Sequence, residues 1–142
     1  DINEKIESNY AKKTSLDFLY KNADIVSLHL PFTTTTTDLF NKEFIQKFDK
    51  PFWLINTSRG KIVNTPDLVD ALNEKKILGA GLDVIDIESS SFNNIKKELN
   101  PYFYELINLK NVIITPHIAG WTFESNIKLS QIIIDKIESH LK

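Results

Sequence analysis

The chain has no cysteine and no methionine among its 142 residues, and only four glycines. Without cysteine there is neither a disulfide framework nor a thiolate-held metal site, and a reducing cytoplasm is the expected compartment. Without methionine even at position 1, the expectation is that further polypeptide precedes Asp1. The opening, Asp1-Ile2-Asn3-Glu4-Lys5, is polar and does not read as a secretory leader. Neither sign of charge dominates: 17 Lys and Arg stand against 19 Asp and Glu, for a net charge of −2. The lysines are spread along the chain, which argues against a nucleic-acid partner or a polybasic membrane surface. No apolar run approaches the roughly 18 residues needed to span a bilayer. Nor do Gly60, Gly79, Gly81 and Gly120 form a Gly-x-Gly-x-x-Gly loop. Gly79-Ala80-Gly81 runs on into Leu82-Asp83 within a strand pattern, so it cannot cradle a pyrophosphate at a helix N-terminus.

Hydrophobic residues make up 42% and charged residues 25%, which suits one domain with a core. Four β-rich apolar runs stand out, at 23–30, 52–56, 77–84 and 112–115, the first and last stopped by Pro31 and Pro116. They are nearly continuous rather than alternating, which predicts strands covered on both faces. Helical patterns separate them. Thr14 or Ser15 can cap a helix through Leu16 and Tyr20, and Asn41 can cap one through Phe44 and Phe48. In Thr65-Pro66-Asp67 a hydroxyl cap, a first-turn proline and an acid near the positive helix end mark a third start. Asn94 can cap a fourth helix over 95–109, broken or restarted at Pro101. A last one from Phe123 to Leu141 puts Ile127, Ile133, Ile134, Ile137 and Leu141 on one face. This alternation predicts an α/β fold with a mainly parallel sheet and crossover helices. The order contains no internal repeat.

In open parallel sheets, ligands bind beyond the carboxyl ends of the strands. The residues there are Pro31 to Thr36, Thr57-Ser58-Arg59-Gly60, Asp83 to Glu88, and Pro116-His117-Ile118-Ala119-Gly120. An arginine, acids and a histidine are thus expected to converge on one crevice. Their ordinary alternatives are an exposed arginine closing a strand, solvated loop acids, and a histidine capping a strand. His29, inside a strand pattern, is expected to be packed, and His140, near a helix end, to be solvated.

Asn56-Thr57-Ser58-Arg59-Gly60-Lys61-Ile62-Val63, then Gly79-Ala80-Gly81-Leu82-Asp83-Val84, then Thr115-Pro116-His117-Ile118-Ala119-Gly120 resembles the D-isomer-specific 2-hydroxyacid dehydrogenases. The similarity runs from about Leu16 to Gly120 and includes Asp24-Ile25-Val26-Ser27-Leu28-His29-Leu30-Pro31. Several motifs in the right order are far more specific than any one of them. The resemblance implies a Rossmann-type, doubly wound NAD-binding domain inserted in a flavodoxin-like substrate domain. Here that domain is incomplete, with the first strand, the phosphate loop and the substrate domain absent from the chain. Residues 1–120 would be the partial NAD-binding domain, and 121–142 a C-terminal helix returning toward the substrate domain.

The resemblance also implies roles. Arg59 would grip a substrate carboxylate and polarise its carbonyl, a task for a planar guanidinium. His117 and Glu88 would act as the acid/base pair, the carboxylate favouring the imidazolium and fixing its tautomer. Glu88 is followed by Ser89-Ser90-Ser91, where the family usually has a proline, so this loop departs from the pattern. Asp83 would sit by the nicotinamide carboxamide, with a plain strand-end turn as its alternative. Leu30, Pro31, Thr36, Thr57, Ser58 and Gly120 would complete the cofactor contacts. Asp1 stands where an acid holds the ribose, and an arbitrary terminus is the equal alternative. No metal is implied. NAD is the implied cofactor, a small 2-oxo or 2-hydroxy acid the substrate (lactate, glycerate and 3-phosphoglycerate types all fit), and a homodimer the implied assembly. The other function class is a non-enzymatic, NAD-sensing regulator resembling corepressors of the same fold.

Overall fold

A computed structural model of the chain describes residues 9–86 and 101–141. Its elements alternate: α1 (Leu16–Asn22), β1 (Ile25–Leu28), α2 (Lys42–Gln46), β2 (Phe52–Asn56), α3 (Thr65–Asn73), β3 (Ile77–Leu82), α4 (Pro101–Asn108), β4 (Val112–Ile114) and α5 (Phe123–His140), with a 3-10 turn at Gly60–Ile62. The four strands form one parallel sheet in the order β1-β2-β3-β4. This is the α/β, Rossmann-like arrangement expected. Among the described residues, no helix is long and apolar enough to cross a membrane.

Local chemistry explains the boundaries. The Ser15 hydroxyl and the Asn41 side chain cap α1 and α2, accepting the N–H of Phe18 and Phe44. The cap of α3 is Asn64 rather than Thr65: its side-chain oxygen accepts the Asp67 N–H at 3.1 Å, and Thr65 and Pro66 fall inside the first turn. Asparagine is the better cap of the two, and proline is equally at home one position later, where its missing N–H is not required. At the other end of α3, Lys75 takes a left-handed backbone (φ 58). Its N–H donates to the Leu72 carbonyl and that of Lys76 to the Ala71 carbonyl, the bonding of a Schellman cap.

The core lies on one side of the sheet. Phe52, Leu54 and Leu82 face α2, α3 and α4 and are buried with Ile45, Leu68, Val69, Leu72 and Leu106. Tyr20 of α1 meets Phe48 edge-to-face, and Phe48 lies tilted against Phe52 with 4.2 Å between centroids, contacts that add to the burial itself. Strands that step in one direction through right-handed crossovers receive every connecting helix on the same face. The other face is therefore left bare among the described residues: Trp53 remains 49% exposed and Ile113 71%. The expectation of two covered faces holds for one face only. His29 is likewise exposed, not packed. It shares the bare face with Ile25 and Ser27, and its Nε2 lies 2.8 Å from the Ser27 hydroxyl. Helix α5, capped by the Thr122 hydroxyl, buries none of its residues, and His140 is solvated as expected.

Candidate functional site at the carboxyl edge of the sheet

Parallel register places Leu28, Asn56, Leu82 and Ile114 in one row across the four strands. The segments that follow each strand therefore leave from the same edge. From β1 come Leu30, Pro31 and Thr36, and from β2 Thr57, Ser58 and Arg59. Asp83 leaves from β3, and His117 and Gly120 from β4.

The β2 tip is organised by Asn56, which is buried. Its side-chain oxygen accepts both the N–H and the hydroxyl of Ser58, at 3.1 and 2.9 Å, and its amide donates to the Arg59 carbonyl at 3.1 Å. This local turn holds Arg59 in extended backbone (φ −147, ψ 140) with its side chain exposed. The guanidinium Nη1 donates to the Ser58 carbonyl at 2.6 Å. Ser58 itself is buried, with its hydroxyl engaged inside the turn. Asn56 was passed over as a functional residue, although an asparagine two positions before a serine at a strand end is an Asx-turn signal.

The β3 tip holds the best-anchored charge in the described chain. Asp83 is 4% exposed. One carboxylate oxygen accepts the Thr115 hydroxyl at 2.5 Å and the Ile118 N–H at 2.8 Å, while the other accepts the Ala119 N–H at 2.9 Å. Burial pushes its pKa up, but the bonds from Thr115, Ala119 and Ile118, with His117 nearby, outweigh this and hold it below the ordinary value. The Asp83 carbonyl also accepts the His117 N–H at 2.9 Å. His117 has φ 57, a left-handed conformation that histidine tolerates better than most residues, though at a cost. Its ring-bearing side is exposed.

The β2 and β3 tips touch through backbone. A Cβ added to Gly60 would lie 2.1 Å from the Ile85 carbonyl carbon and 2.5 Å from the Asp86 nitrogen, so only glycine allows this approach. On the β1 side, the Thr36 hydroxyl donates to the Pro31 carbonyl at 2.7 Å and accepts the Thr33 N–H at 2.8 Å. The Asp38 N–H donates to the Lys61 carbonyl, tying this loop to the turn after Arg59. Leu30 and Thr57 are half-buried and Pro31 is exposed. Gly120 has no positive φ, and a Cβ there would meet no atom within 4 Å among the described residues, none of which requires glycine there. Asp1 and Glu88 lie outside the described residues. Asp86, two positions before Glu88, is exposed beside Gly60.

Arg59, Asp83 and His117 thus share one edge. The hydroxyls of Ser58 and Thr36 are turned to their own loops. Cationic and imidazole donors at strand tips suit the nicotinamide end of a dinucleotide and a small carboxylate. Nothing in the sequence supplies the glycine loop that a pyrophosphate requires.

Comparison with known proteins agrees. The family described as D-isomer specific 2-hydroxyacid dehydrogenase, NAD binding domain, matches residues 1–119. A hydroxypyruvate reductase of Blautia hydrogenotrophica is 36% identical over 140 residues, covering 99% of this chain and 40% of that protein. A D-lactate dehydrogenase of Staphylococcus aureus is 37% identical, covering 80% of this chain and 35% of that protein. The NAD-complexed structure of a D-isomer specific 2-hydroxyacid dehydrogenase from Lactobacillus delbrueckii ssp. bulgaricus superposes with a TM-score of 0.74 at 36% identity, covering 87% of this chain and 38% of that one. The chain therefore spans about two fifths of the length of these relatives. With its parallel sheet, its row of strand tips and its ordered motifs, the chain belongs to the D-isomer specific 2-hydroxyacid dehydrogenase family, within the NAD binding domain.

Proposed function

We propose that the protein interconverts 2-oxo acids and D-2-hydroxy acids with NAD as cofactor, Arg59 binding the substrate carboxylate and carbonyl and the His117–Glu88 pair handling the proton. The observation that carries this reading is the alignment of Leu28, Asn56, Leu82 and Ile114, which sends the arginine and histidine segments out of one edge. When bound, NADH supplies the hydride. The chain's own residues do the rest. Arg59 presents two parallel N–H donors to the carboxylate, which fixes the carbonyl carbon in place. His117 holds a proton for the carbonyl oxygen and takes it back in the reverse direction. Leu30, Pro31, Thr57 and Gly120 would line the nicotinamide end, Thr36 and Ser58 would shape the loops beneath it, and Asp1 would hold the ribose.

The same reading makes 1–120 part of the NAD-binding domain and 121–142 a helix returning toward a substrate domain. It places the protein in the cytoplasm, in keeping with the absence of cysteine, and assembles it as a homodimer. The 142-residue chain alone, with no glycine loop, is expected to neither bind NADH tightly nor turn over substrate. Micromolar binding in a calorimetric titration of that chain would contradict this.

The test of the activity is NADH oxidation, across a panel of 2-oxo acids, by the longer protein of which this reading makes the 142 residues a part. His117→Ala should lower kcat by about 100-fold or more while leaving NADH affinity nearly unchanged. Equal losses in both would make His117 a structural residue. No oxidation with any 2-oxo acid, alongside intact NADH binding, would move the protein to a regulatory role.

A further inference from the structure

We propose that Asn56 is the positioning residue for Arg59, a buried amide at the end of β2 that fixes both the root and the head of the arginine side chain. The inference rests on the reading of Arg59 as the group that binds the substrate carboxylate.

Asn56 is the last residue of β2 and is 1% exposed. A buried amide costs free energy unless its donors and acceptors are met. Here they are met within the next three residues. The side-chain oxygen has two lone pairs, and Ser58 engages it twice, once with its N–H and once with its hydroxyl. The side-chain NH2 donates to the Arg59 carbonyl. Among the described residues, the Asn56 side chain bonds to no other element. The strand is held by a different group: the Asn56 carbonyl accepts the Asp83 N–H at 2.9 Å. The backbone of Asn56 thus keeps β2 in the sheet, and its side chain works only on the turn.

That turn ends in Arg59. The bond to its carbonyl fixes the peptide that follows it, and the bonds to Ser58 fix the residue that precedes it. Together they set the direction in which the Arg59 side chain leaves the backbone. The guanidinium Nη1 donates to the Ser58 carbonyl, so the head of the side chain is also tied to a residue that Asn56 holds. An exposed arginine has many rotamers, and few of them aim both N–H groups at one carboxylate. A root held by a buried amide narrows that choice before substrate arrives. Only an amide of this length serves: aspartate keeps the acceptor and loses the donor, and alanine loses both.

The experiment uses the longer protein proposed above, with Asn56→Ala and Asn56→Asp made alone and together with Arg59→Lys. Hydrogen–deuterium exchange is read on the peptide over 57–60, with that over 77–82 as control, alongside kcat/KM for the best 2-oxo acid and NADH affinity. In Asn56→Ala, exchange over 57–60 should rise about tenfold with the control unchanged. Its kcat/KM should fall about 30-fold, with NADH affinity changed less than about threefold. Asn56→Asp, which keeps the acceptor for Ser58 and loses only the bond to Arg59, should leave that exchange near wild type and still lower kcat/KM about tenfold. The pairing with Arg59→Lys is decisive, because lysine has no planar fork to aim. In that background Asn56→Ala should cost less than about threefold. The same loss in both backgrounds would make Asn56 a structural residue and overturn the proposal. So would unchanged exchange over 57–60 in Asn56→Ala, unchanged kcat/KM, or a parallel loss of NADH affinity. If Asn56→Ala does not fold, Asn56→Asp is read against Arg59→Lys in the same way, and equal losses in both backgrounds defeat the idea. A wild-type protein without dehydrogenase activity would sink the functional reading, while exchange over 57–60 would still judge the hold of Asn56 on the turn.

Discussion

The two faces of the sheet are made from the same apolar runs and end in opposite surroundings. On the helix side, Phe52, Leu54 and Leu82 are sealed beneath α2, α3 and α4. On the other, their immediate neighbours Trp53 and Ile55, with Ile25 and Ile113, face outward. Hydrophobicity along a strand records what the finished molecule demands. Which face is covered by a given stretch of chain depends on the hand and direction of its crossovers. The row of strand tips that carries Arg59, Asp83 and His117 belongs to neither face. Its described geometry is set by backbone and short side-chain bonds at the strand tips rather than by the cover of either face.

Core truncation gives the sharpest contrast. Phe52→Ala removes a fully buried ring in contact with Phe48 and should cost about 3–5 kcal/mol in urea unfolding. Ile113→Ala, one strand-face away in kind, should stay within about 0.5 kcal/mol in the same 142-residue chain. A cost above about 2 kcal/mol for Ile113→Ala would show that the two faces are not different after all.

The next effect is smaller and lies on the bare face itself. A Cβ on Gly79 would sit 2.4 Å from the Trp53 ring and 2.6 Å from the Asn111 carbonyl oxygen. The indole can swing aside because nothing described covers it, but the backbone oxygen at the start of β4 cannot. Gly79→Ala should therefore destabilise by about 1–3 kcal/mol, the usual range for overpacking. Trp53→Ala should relieve only part of that penalty, and full relief would show that the Asn111 contact is soft.

Sequence reasoning reached the four strands, the parallel order and the shared edge because those follow from short apolar runs, punctuating prolines and alternation with helices. It missed by one residue at Asn64, where two adjacent good caps competed. His29 was misplaced because a strand pattern reports no face until the neighbours are known. Asn56 was missed since its role is local turn chemistry rather than cleft chemistry. The grip of Asp83 on Thr115, Ile118 and Ala119 could not be read at all. It joins residues 32 to 36 positions apart, and no single-sequence pattern encodes that pairing. Glu88 and Asp1 rest on the family resemblance alone, as both lie outside the described residues.

Acid tests the edge against both faces. Asp83 is held below the ordinary aspartate value of 3.8, so the folded state favours the deprotonated form more than the unfolded chain does. Its contribution is therefore complete above the unfolded value and is lost as pH falls through the lower folded one. The stability gap between wild type and Asp83→Asn should be flat from about pH 7 to 5 and close below about pH 4. A gap that survives to about pH 2 would mean that the gap is set by packing rather than by the charge.

Gly81 offers the finest distinction. It lies on the bare face between Ile55 and Ile113 in the register, has no positive φ, and a Cβ there would meet no described atom within 4 Å. Nothing among the described residues therefore needs a glycine here, and alanine would reduce the freedom of the unfolded state. Gly81→Ala should be neutral or stabilise the 142-residue chain by up to about 1 kcal/mol in urea unfolding. The same change in the longer protein proposed above separates two causes. If the gain persists there, the bare face stays open at Gly81 in that protein too. If it turns into a loss, another element packs down onto the glycine, and the contrast between the faces belongs to this stretch of chain rather than to the protein. Destabilisation already in the 142-residue chain would mean that the space beside Gly81 is filled from within these residues.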